Sequence, residues 1–558
     1  EETALSDRLG DARDELLEEL AGIKTLRGIV AWIEERTAEV EAAPPALEEA
    51  GGGPAAGWPA AADGRTPSPA QVDAARSLRR FRFEVRASGP APRNGSRLEG
   101  RTFAVTDDGL GVAAALVDLL DERGARARVL AADEPLEGVD GLVHLAPLAP
   151  DSGPQVVKDL FRLSKEALGA EAGAIIAATG MGGGFGYGAN GYSRPGQGGV
   201  AGFLRSLAKE RPDLHVRAVD LDPAGDPRRL ARQLLEEILS SGGPVEVGYD
   251  GEERRVLDIV PAPIQRNGGG GAGIDGSSVV LVTGGARGIA AHLSIELARR
   301  HGCALELVGR SPRPDEPEPP DFAGIADPLA LKRRLIDLVP GARPAEVERR
   351  LKEILAAREI RSTLAAIHAA GGRARYHSVD VRRASAFGAT IDEIYALHGR
   401  LDVAIHAAGL IEDKLLVHKS SASFERVFDT KVNGALTLVG KLRDDTRLVV
   451  FFSSAAGIYG NAGQTDYAAA NDVLDRLALH LAERGPMRAI SVAWGPWDSA
   501  GMVSPELRRE YERRGIGLIP LDAGVASLLD EIDQPRPDVA RVVLMGAADA
   551  RLPAPSAS

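Results

Sequence analysis

Three residues near the end of the chain could carry chemistry together: Ser454, Tyr467 and Asn471. A phenol has a pKa near ~10, so Tyr467 is a slow acid at neutral pH unless a positive neighbour draws that value down. Ser454 closes the apolar run RLVVFFSSAAG, and its spacing to Tyr467 lets a strand-end hydroxyl meet a tyrosine on the following helix. Tyr467 and Asn471, in GQTDYAAAND, lie one helical turn apart and share a face. That stretch contains no lysine or arginine. The cation on offer is Lys431, in DTKVNGAL, on a helix expected to pack beside the site.

A second group of residues reads as an anion cradle. VVLVTGGARGIA, residues 279–290, runs a β-branched strand through Thr283 into Gly284, Gly285 and Gly288, and a helix opens at Ile289. Glycines let the backbone approach a pyrophosphate, and a helix N-terminus favours its charge. The next strand ends in LVGR, so Arg310 and Ser311 stand where an acidic residue would bind a ribose hydroxyl and a basic one a 2′-phosphate. Arg287 lies inside the loop, and two arginines at one phosphate site favour NADPH over NADH. In HSVDV, Asp380 and Val381 are expected to hold the adenine. HAAG brings Ala407, Ala408 and Gly409 close to the cofactor.

These residues need a scaffold, and composition narrows its type. The chain has 558 residues, more than one core normally supports. It is 44% hydrophobic but only 4% aromatic, so its cores must be built from Ala, Val, Leu and Ile, which suits α/β layers. A net charge of −13 offers neither a broad nucleic-acid surface nor a polybasic membrane patch. The single cysteine, Cys303, excludes an intramolecular disulfide framework and a cysteine-rich metal site, and reads as a small core residue. No ligand cluster for a metal is evident, and no stretch approaches the ~20 apolar residues of a membrane helix. With no signal peptide and an initial Glu1, the sequence reads as cut from a longer cytoplasmic protein, which makes Asn94-Gly-Ser a chance glycosylation match.

The organisation expected is a helical segment (1–40), a linker rich in Ala, Pro, Gly and Glu (41–77), two α/β segments (78–265 and 277–550) divided by a glycine-rich hinge (266–276), and a closing linker (551–558). The first segment carries an apolar stripe of Leu26, Ile29, Val30 and Ile33, and reads as a carrier-protein tail or a dimerisation helix. The two long segments echo each other. RTFAVTDDGLGVAAALVDLL parallels SVVLVTGGARGIAAHLSIEL, and VDGLVHLAPL parallels LDVAIHAAGL. The fold class is therefore α/β, with two tandem Rossmann-like subdomains, each a doubly wound parallel sheet. In the first, Val200 and Leu204 stand in for Tyr467 and Asn471, and Asp107 and Asp108 put carboxylates where a pyrophosphate would sit. The first is thus degenerate and structural, the second catalytic. The stretch 322–370 reads as extra helices.

The set Lys431, Ser454, Tyr467 and Asn471, with the glycine loop, resembles the ketoreductase domains of type I polyketide synthases, members of the short-chain dehydrogenase superfamily. In these domains the Lys and Asn of the superfamily's tetrad have exchanged helices, as Lys431 and Asn471 have. The long insertion and the GGARGI loop are similar to those of polyunsaturated-fatty-acid synthases and related iterative systems. The resemblance covers about residues 80 to 550 and implies an NADPH-dependent β-ketoacyl reductase. It would act on a thioester of an acyl carrier protein, beside other domains of the same megasynthase, in a parent that is a homodimer. It also implies roles. The pro-S hydride goes to C3, Tyr467 protonates the alkoxide, Ser454 holds the same oxygen, Lys431 stabilises the tyrosinate, and Asn471 holds a water or backbone group in the proton relay. AWGPW and Gly501-Met502 resemble the start of the family's substrate loop and its lid, giving Trp497 and Met502 to the substrate, whereas Trp494 reads as packing. Asp413 aligns with the second Asp of the family's Leu-Asp-Asp region, which implies a D-hydroxyl product. It also reads as a loop residue capping the next helix. Alternatives are a catalytically silent structural module and a free-standing 3-oxoacyl reductase.

Overall fold

The computed structural model describes residues 78–92, 98–131, 134–188, 195–264, 273–314, 318–485, 487–498, 508, 509, 511, 513, 515–534 and 539–546. The expected helix in 1–40, the linkers 41–77 and 551–558, most of the hinge, and Met502 lie outside them.

Apolar runs become strands covered on both faces. In chain order they are β1 Leu78–Ala87, β2 Thr102–Thr106, β3 Arg126–Leu130, β4 Gly141–His144, β5 Ala174–Thr179, β6 His215–Asp220, β7 Glu246–Asp250, β8 Glu253–Pro261, β9 Val279–Thr283, β10 Ala304–Gly309, β11 Arg373–Ser378, β12 Val403–His406, β13 Leu448–Ser454, β14 Arg488–Trp494, β15 Trp497–Asp498, β16 Ile519–Pro520 and β17 Arg541–Gly546. Every residue of β9 is buried, and each such Val or Leu stabilises the fold by about 1.5–3 kcal/mol.

The second half runs β11-β10-β9-β12-β13-β14-β17, all neighbours parallel. Its first six strands have the order of a doubly wound dinucleotide-binding sheet, whose ligand crevice opens where the winding reverses. Here that point lies between β9 and β12, where Thr283 and His406 are register partners. The first half, β3-β2-β4-β5-β6-β7, has the same parallel winding without a counterpart of β11 among the described residues. The halves share a single sheet of fifteen strands. β1 pairs antiparallel with β17 on one side and with β8 on the other, and β8 pairs antiparallel with β7. Two edges that would otherwise be open are closed against each other.

The repeat in the sequence is a repeat in space. Thr106 meets His144 Nδ1 at 3.2 Å, and Thr283 meets His406 Nδ1 at 2.9 Å, each pair bridging the two strands at its winding reversal. The helices aligned by sequence, Gly199–Glu210 and Thr465–Arg484, pack on each other. A side chain at Gly202 would come within 2.5 Å of the Ala468 carbonyl, so the contact requires glycine. In the first half Asp108 is fully buried and accepts from the Val112 and Ala113 amides, both at 3.0 Å. It caps the helix where a phosphate would bind.

The extra helices are Pro328–Leu338 and Pro344–Ala369. Residues up to Leu355 form a compact unit of their own, with a small core of Leu331, Leu335, Val347 and Leu351. Beyond it Ile360 and Ile367 are buried in the main core with Val282 and Leu307. Cys303 is a buried free thiol. Among the described residues no helix is long and apolar enough to cross a membrane.

Candidate active site

Lys431 lies midway along the helix Ser421–Lys441, whose first turn is capped by the Ser420 hydroxyl accepting from the Ser423 amide at 3.2 Å. Its ammonium is buried, donates to the Phe452 carbonyl at 2.7 Å, and stands 5.5 Å from the centre of the Tyr467 ring. Burial pushes its pKa down to about 8, against the attraction of Asp475. The cation missing from the stretch around Tyr467 thus arrives from a neighbouring helix.

Tyr467 is half-buried in the first turn of Thr465–Arg484. Burial raises its pKa, while hydrogen bonding by Ser454 and Asn471 pulls it down and Asp413 pushes it up. At neutral pH the phenol therefore keeps its proton and is a donor. Ser454 ends β13, its hydroxyl accepting from the Ala456 amide at 3.2 Å. Asn471 is fully buried behind the tyrosine. Its Nδ2 donates to the Tyr467 carbonyl at 2.7 Å, its main-chain carbonyl accepts from the Ser453 hydroxyl at 3.1 Å, and its Oδ1 has no protein partner. A buried acceptor left open beside a proton donor suits a bound water.

One cleft is lined by Gly284, Arg287, Gly288, Ile289, Arg310, Ser311, Asp380, Val381, Ala407, Ala408, Gly409, Lys431, Ser454, Tyr467 and Trp497. Thr283 and Gly285 support it from behind. Thr283 Oγ1 accepts from the Ala407 and Ala408 amides at 3.2 and 3.1 Å. Gly284 has φ +76°, and a side chain there would meet the Ala407–Ala408 backbone at 3.3 Å, so the loop keeps a bare backbone toward the cleft. Gly409 packs against Lys431, whose Cε would lie 3.1 Å from an added Cβ. Arg382 ties Asp380, donating to Oδ2 at 2.6 Å. The residues fit a dinucleotide. The helix Gly288–His301 has no side-chain cap of its own, and a carboxylate, that of Glu359, already sits on its first amide like a stand-in anion, 2.6 Å from Gly288 N.

Asp413 is exposed and does not line the cleft. Both its carboxylate oxygens accept from Gln464 Nε2 at 3.1 Å, which ties it to the turn before Tyr467. Its neighbour Glu412 accepts from Ser423 at 2.6 Å and from Arg426 at 2.7 Å, anchoring the Lys431 helix. Trp497 is buried, its ring 4.7 Å from that of Trp494.

Four groups that sequence reasoning did not single out hold this arrangement. His406 is neutral, its pKa pushed down to about 3 by burial and then by Lys431. Its Nε2–H donates to the Lys431 carbonyl at 2.9 Å and its Nδ1 accepts from Thr283. The signal for it was present, since both sequence repeats carry the same Thr and His. Lys419 and Asp466 form a fully buried pair at 2.7 Å, and Asp466 also accepts from the Tyr467 amide at 2.8 Å. Glu210, from the first half, accepts from the Leu416 and Gly463 amides at 2.6 and 3.0 Å, bracing loops on either side of Asp413 and Gln464. The fourth is Glu359.

Comparison with known proteins places this geometry. Residues 278–499 match the model of the KR domain family. The chain is 33% identical over 356 residues to a polyunsaturated fatty acid synthase polypeptide of Thraustochytrium sp., covering 60% of this chain and 12% of that protein. It is 30% identical over 348 residues to erythronolide synthase EryA3 of Saccharopolyspora erythraea, covering 62% of this chain and 10% of the relative. It therefore spans about a tenth of the length of these curated relatives. Among solved structures, the ketoreductase from the first module of phoslactomycin biosynthesis in Streptomyces sp. HK803 superposes with a TM-score of 0.63 at 24% identity, over 84% of this chain and 93% of that one. A-type ketoreductases from a modular polyketide synthase superpose with a TM-score of 0.64 at 22% identity, over 85% and 94%. The fold is shared with both.

Proposed function

We propose, on the match of residues 278–499 to the KR domain family, that this chain uses NADPH to reduce the ketone of a β-ketoacyl thioester to the β-hydroxyacyl thioester. The observation that carries this reading is the Tyr467 phenol facing the glycine-loop cleft with the Lys431 ammonium 5.5 Å from its ring. Arg287 and Arg310, lining the same cleft, favour the 2′-phosphorylated cofactor.

NADPH, when bound, supplies the hydride. Tyr467 gives its phenolic proton to the carbonyl oxygen as charge develops there. Ser454 donates a hydrogen bond to the same oxygen and fixes its position. Lys431 holds the resulting tyrosinate by its charge, which is worth more in a buried site than in water. The Asn471 Oδ1 accepts a hydrogen bond from a water and so holds it in place, and that water passes a proton taken from solvent to the tyrosinate. Trp497 and Met502 belong to the substrate side. The substrate is held by an acyl carrier protein, within a cytoplasmic megasynthase whose other domains lie outside this chain and whose parent is a homodimer. Asp413 sets the D-hydroxyl outcome through Gln464, which stands in the turn before Tyr467. The expected segments (1–40, 41–77, 78–265, 266–276, 277–550 and 551–558) remain the domain division we propose.

The test is oxidation of NADPH with an N-acetylcysteamine β-ketoacyl thioester, then with the carrier-bound substrate, with chiral analysis of the product. Turnover with NADPH strongly preferred over NADH is expected, with a D-hydroxyl that loses purity in Asp413→Ala. A folded chain that binds NADPH but reduces neither substrate would leave a silent structural module.

A pH dependence follows. Lys431 is pushed down to about 8, so its charge is present below that pH and is lost as pH rises through it. Turnover is expected to fall along the same limb, and a pH–rate profile flat to pH ~10 would remove Lys431 from the reaction. For stability the sign is opposite. The folded state sheds this proton before the unfolded chain does, so the cost of burying the ammonium is present below about 8 and is relieved as pH climbs toward the ordinary lysine value of 10.5.

A further inference from the structure

The cofactor cleft already contains an anion, and it belongs to the protein. Glu359 projects from the helix Pro344–Ala369 onto the first turn of Gly288–His301. Its Oε1 accepts from the Gly288 amide at 2.6 Å, and its Oε2 accepts from Arg287 Nε at 2.7 Å. Both partners are groups the cleft offers to a phosphate: a free amide at a helix N-terminus, and an arginine of the glycine loop. The placement is built. One turn beyond Glu359, the buried Thr363 hydroxyl donates to the Ala286 carbonyl at 3.0 Å and pins the helix to the loop. Ile360 and Ile367 are fully buried beneath it. The Glu359 side chain itself keeps 28% of its surface exposed, so it can leave by rotating while its helix stays in place.

The first half supplies an internal control. Its equivalent helix is capped by Asp108, which comes from the loop itself, is completely buried, and takes two amides. That carboxylate has no route out, and its cradle is closed. In the second half the loop residue at the helix start, Arg287, makes no side-chain cap, and the carboxylate is delivered by another helix and stays partly in solvent.

We propose that Glu359 is a removable internal anion that competes with the phosphates of the dinucleotide for the Gly288 amide and Arg287, and so sets the affinity and selectivity for the cofactor. This rests on the NADPH reading above. Each cofactor molecule must displace the carboxylate and take over its hydrogen bonds. The energy of one charge-assisted hydrogen bond is thereby subtracted from binding.

The test is direct binding of NADPH and of NADH to the full chain by nicotinamide fluorescence, in wild type, Glu359→Gln and Glu359→Asp. Gln keeps the shape and removes the charge; Asp keeps the charge and withdraws it by one methylene. Both are expected to bind NADPH about tenfold more tightly. A larger gain for NADPH than for NADH identifies the 2′-phosphate as the displaced party's rival. An equal gain identifies the pyrophosphate; either supports competition. In Arg287→Ala the gain from Glu359→Gln should shrink. Thermal melting of the cofactor-free variants checks that they are folded. If wild type binds NADPH and the two variants bind it equally or more weakly, competition is overturned while the cofactor reading stands. If neither wild type nor variants bind NADPH, the cofactor reading falls and Glu359 has nothing to compete with.

Discussion

Tyr467→Phe is expected to lower kcat for thioester reduction by about 10²–10⁴-fold and to leave NADPH binding unchanged. The substitution removes one oxygen and keeps the ring that Lys431 faces at 5.5 Å. The phenol keeps its proton at neutral pH, since burial raises its pKa, and it stands beside a buried cation that can stabilise the anion left after the proton is given. Ser454→Ala should cost less, because it removes a hydrogen bond and not the proton. Lys431→Met should approach the tyrosine variant in rate, yet melt no lower than wild type to the extent that the charge it removes is a buried one. Single-turnover kinetics with prebound NADPH check all three. A phenylalanine variant within about tenfold of wild type would show that the proton comes from elsewhere.

The second large effect is on stability. Arg476→Met is expected to lower the free energy of unfolding by about 3–5 kcal/mol, the cost of leaving buried carboxylates without their partner. Arg476 is fully buried on the same helix as Tyr467. It pairs with Glu246 of the first half at 2.8 Å and with Asp472 at 3.3 Å, and donates to the Phe185 carbonyl. Around it Arg205 joins Glu246 and approaches Asp472 at 3.8 Å, and Arg541 pairs with Asp475 at 2.9 Å. Asp472 also accepts from the Gly202 amide at 2.9 Å. This network crosses between the halves at the helix that carries the phenol. Arg476→Lys keeps the charge and loses the planar fork, so an intermediate loss is expected. Urea unfolding followed with turnover checks this. A methionine variant unfolding at the wild-type urea concentration would mean that the charges are solvated rather than buried.

Much of this protein was legible before folding. The strand-loop-helix at 279–290, the spacing from Ser454 to Tyr467 and the turn from Tyr467 to Asn471 are local, and local geometry depends on neighbours in the chain. The doubling was legible too, because the same strand and helix patterns, the same Thr and His and one loop glycine, Gly111 against Gly288, recur. Asp108 in place of a glycine announced the closed cradle of the first half, and the structure shows how, by a carboxylate capping the helix. Lys431 could be named from sequence, but its partner Phe452 and its pKa could not.

What the sequence by itself determined is therefore the set of candidate reacting groups and the two winding patterns that present them, because periodicity and turn chemistry act over a few residues. What tertiary structure alone decided is how those groups are held and opposed. It joined two sheets into one through β1, β8 and β17, buried Lys419 against Asp466, and brought Glu210 and Glu246 from the first half to brace the second. It also laid Glu359 on the Gly288 amide of the glycine loop. Charges far apart along a chain carry no mark of their partners. Whether a carboxylate is a solvated surface group, a permanent cap or a removable anion depends on which cation and which amide the fold puts beside it, and on whether water can reach it.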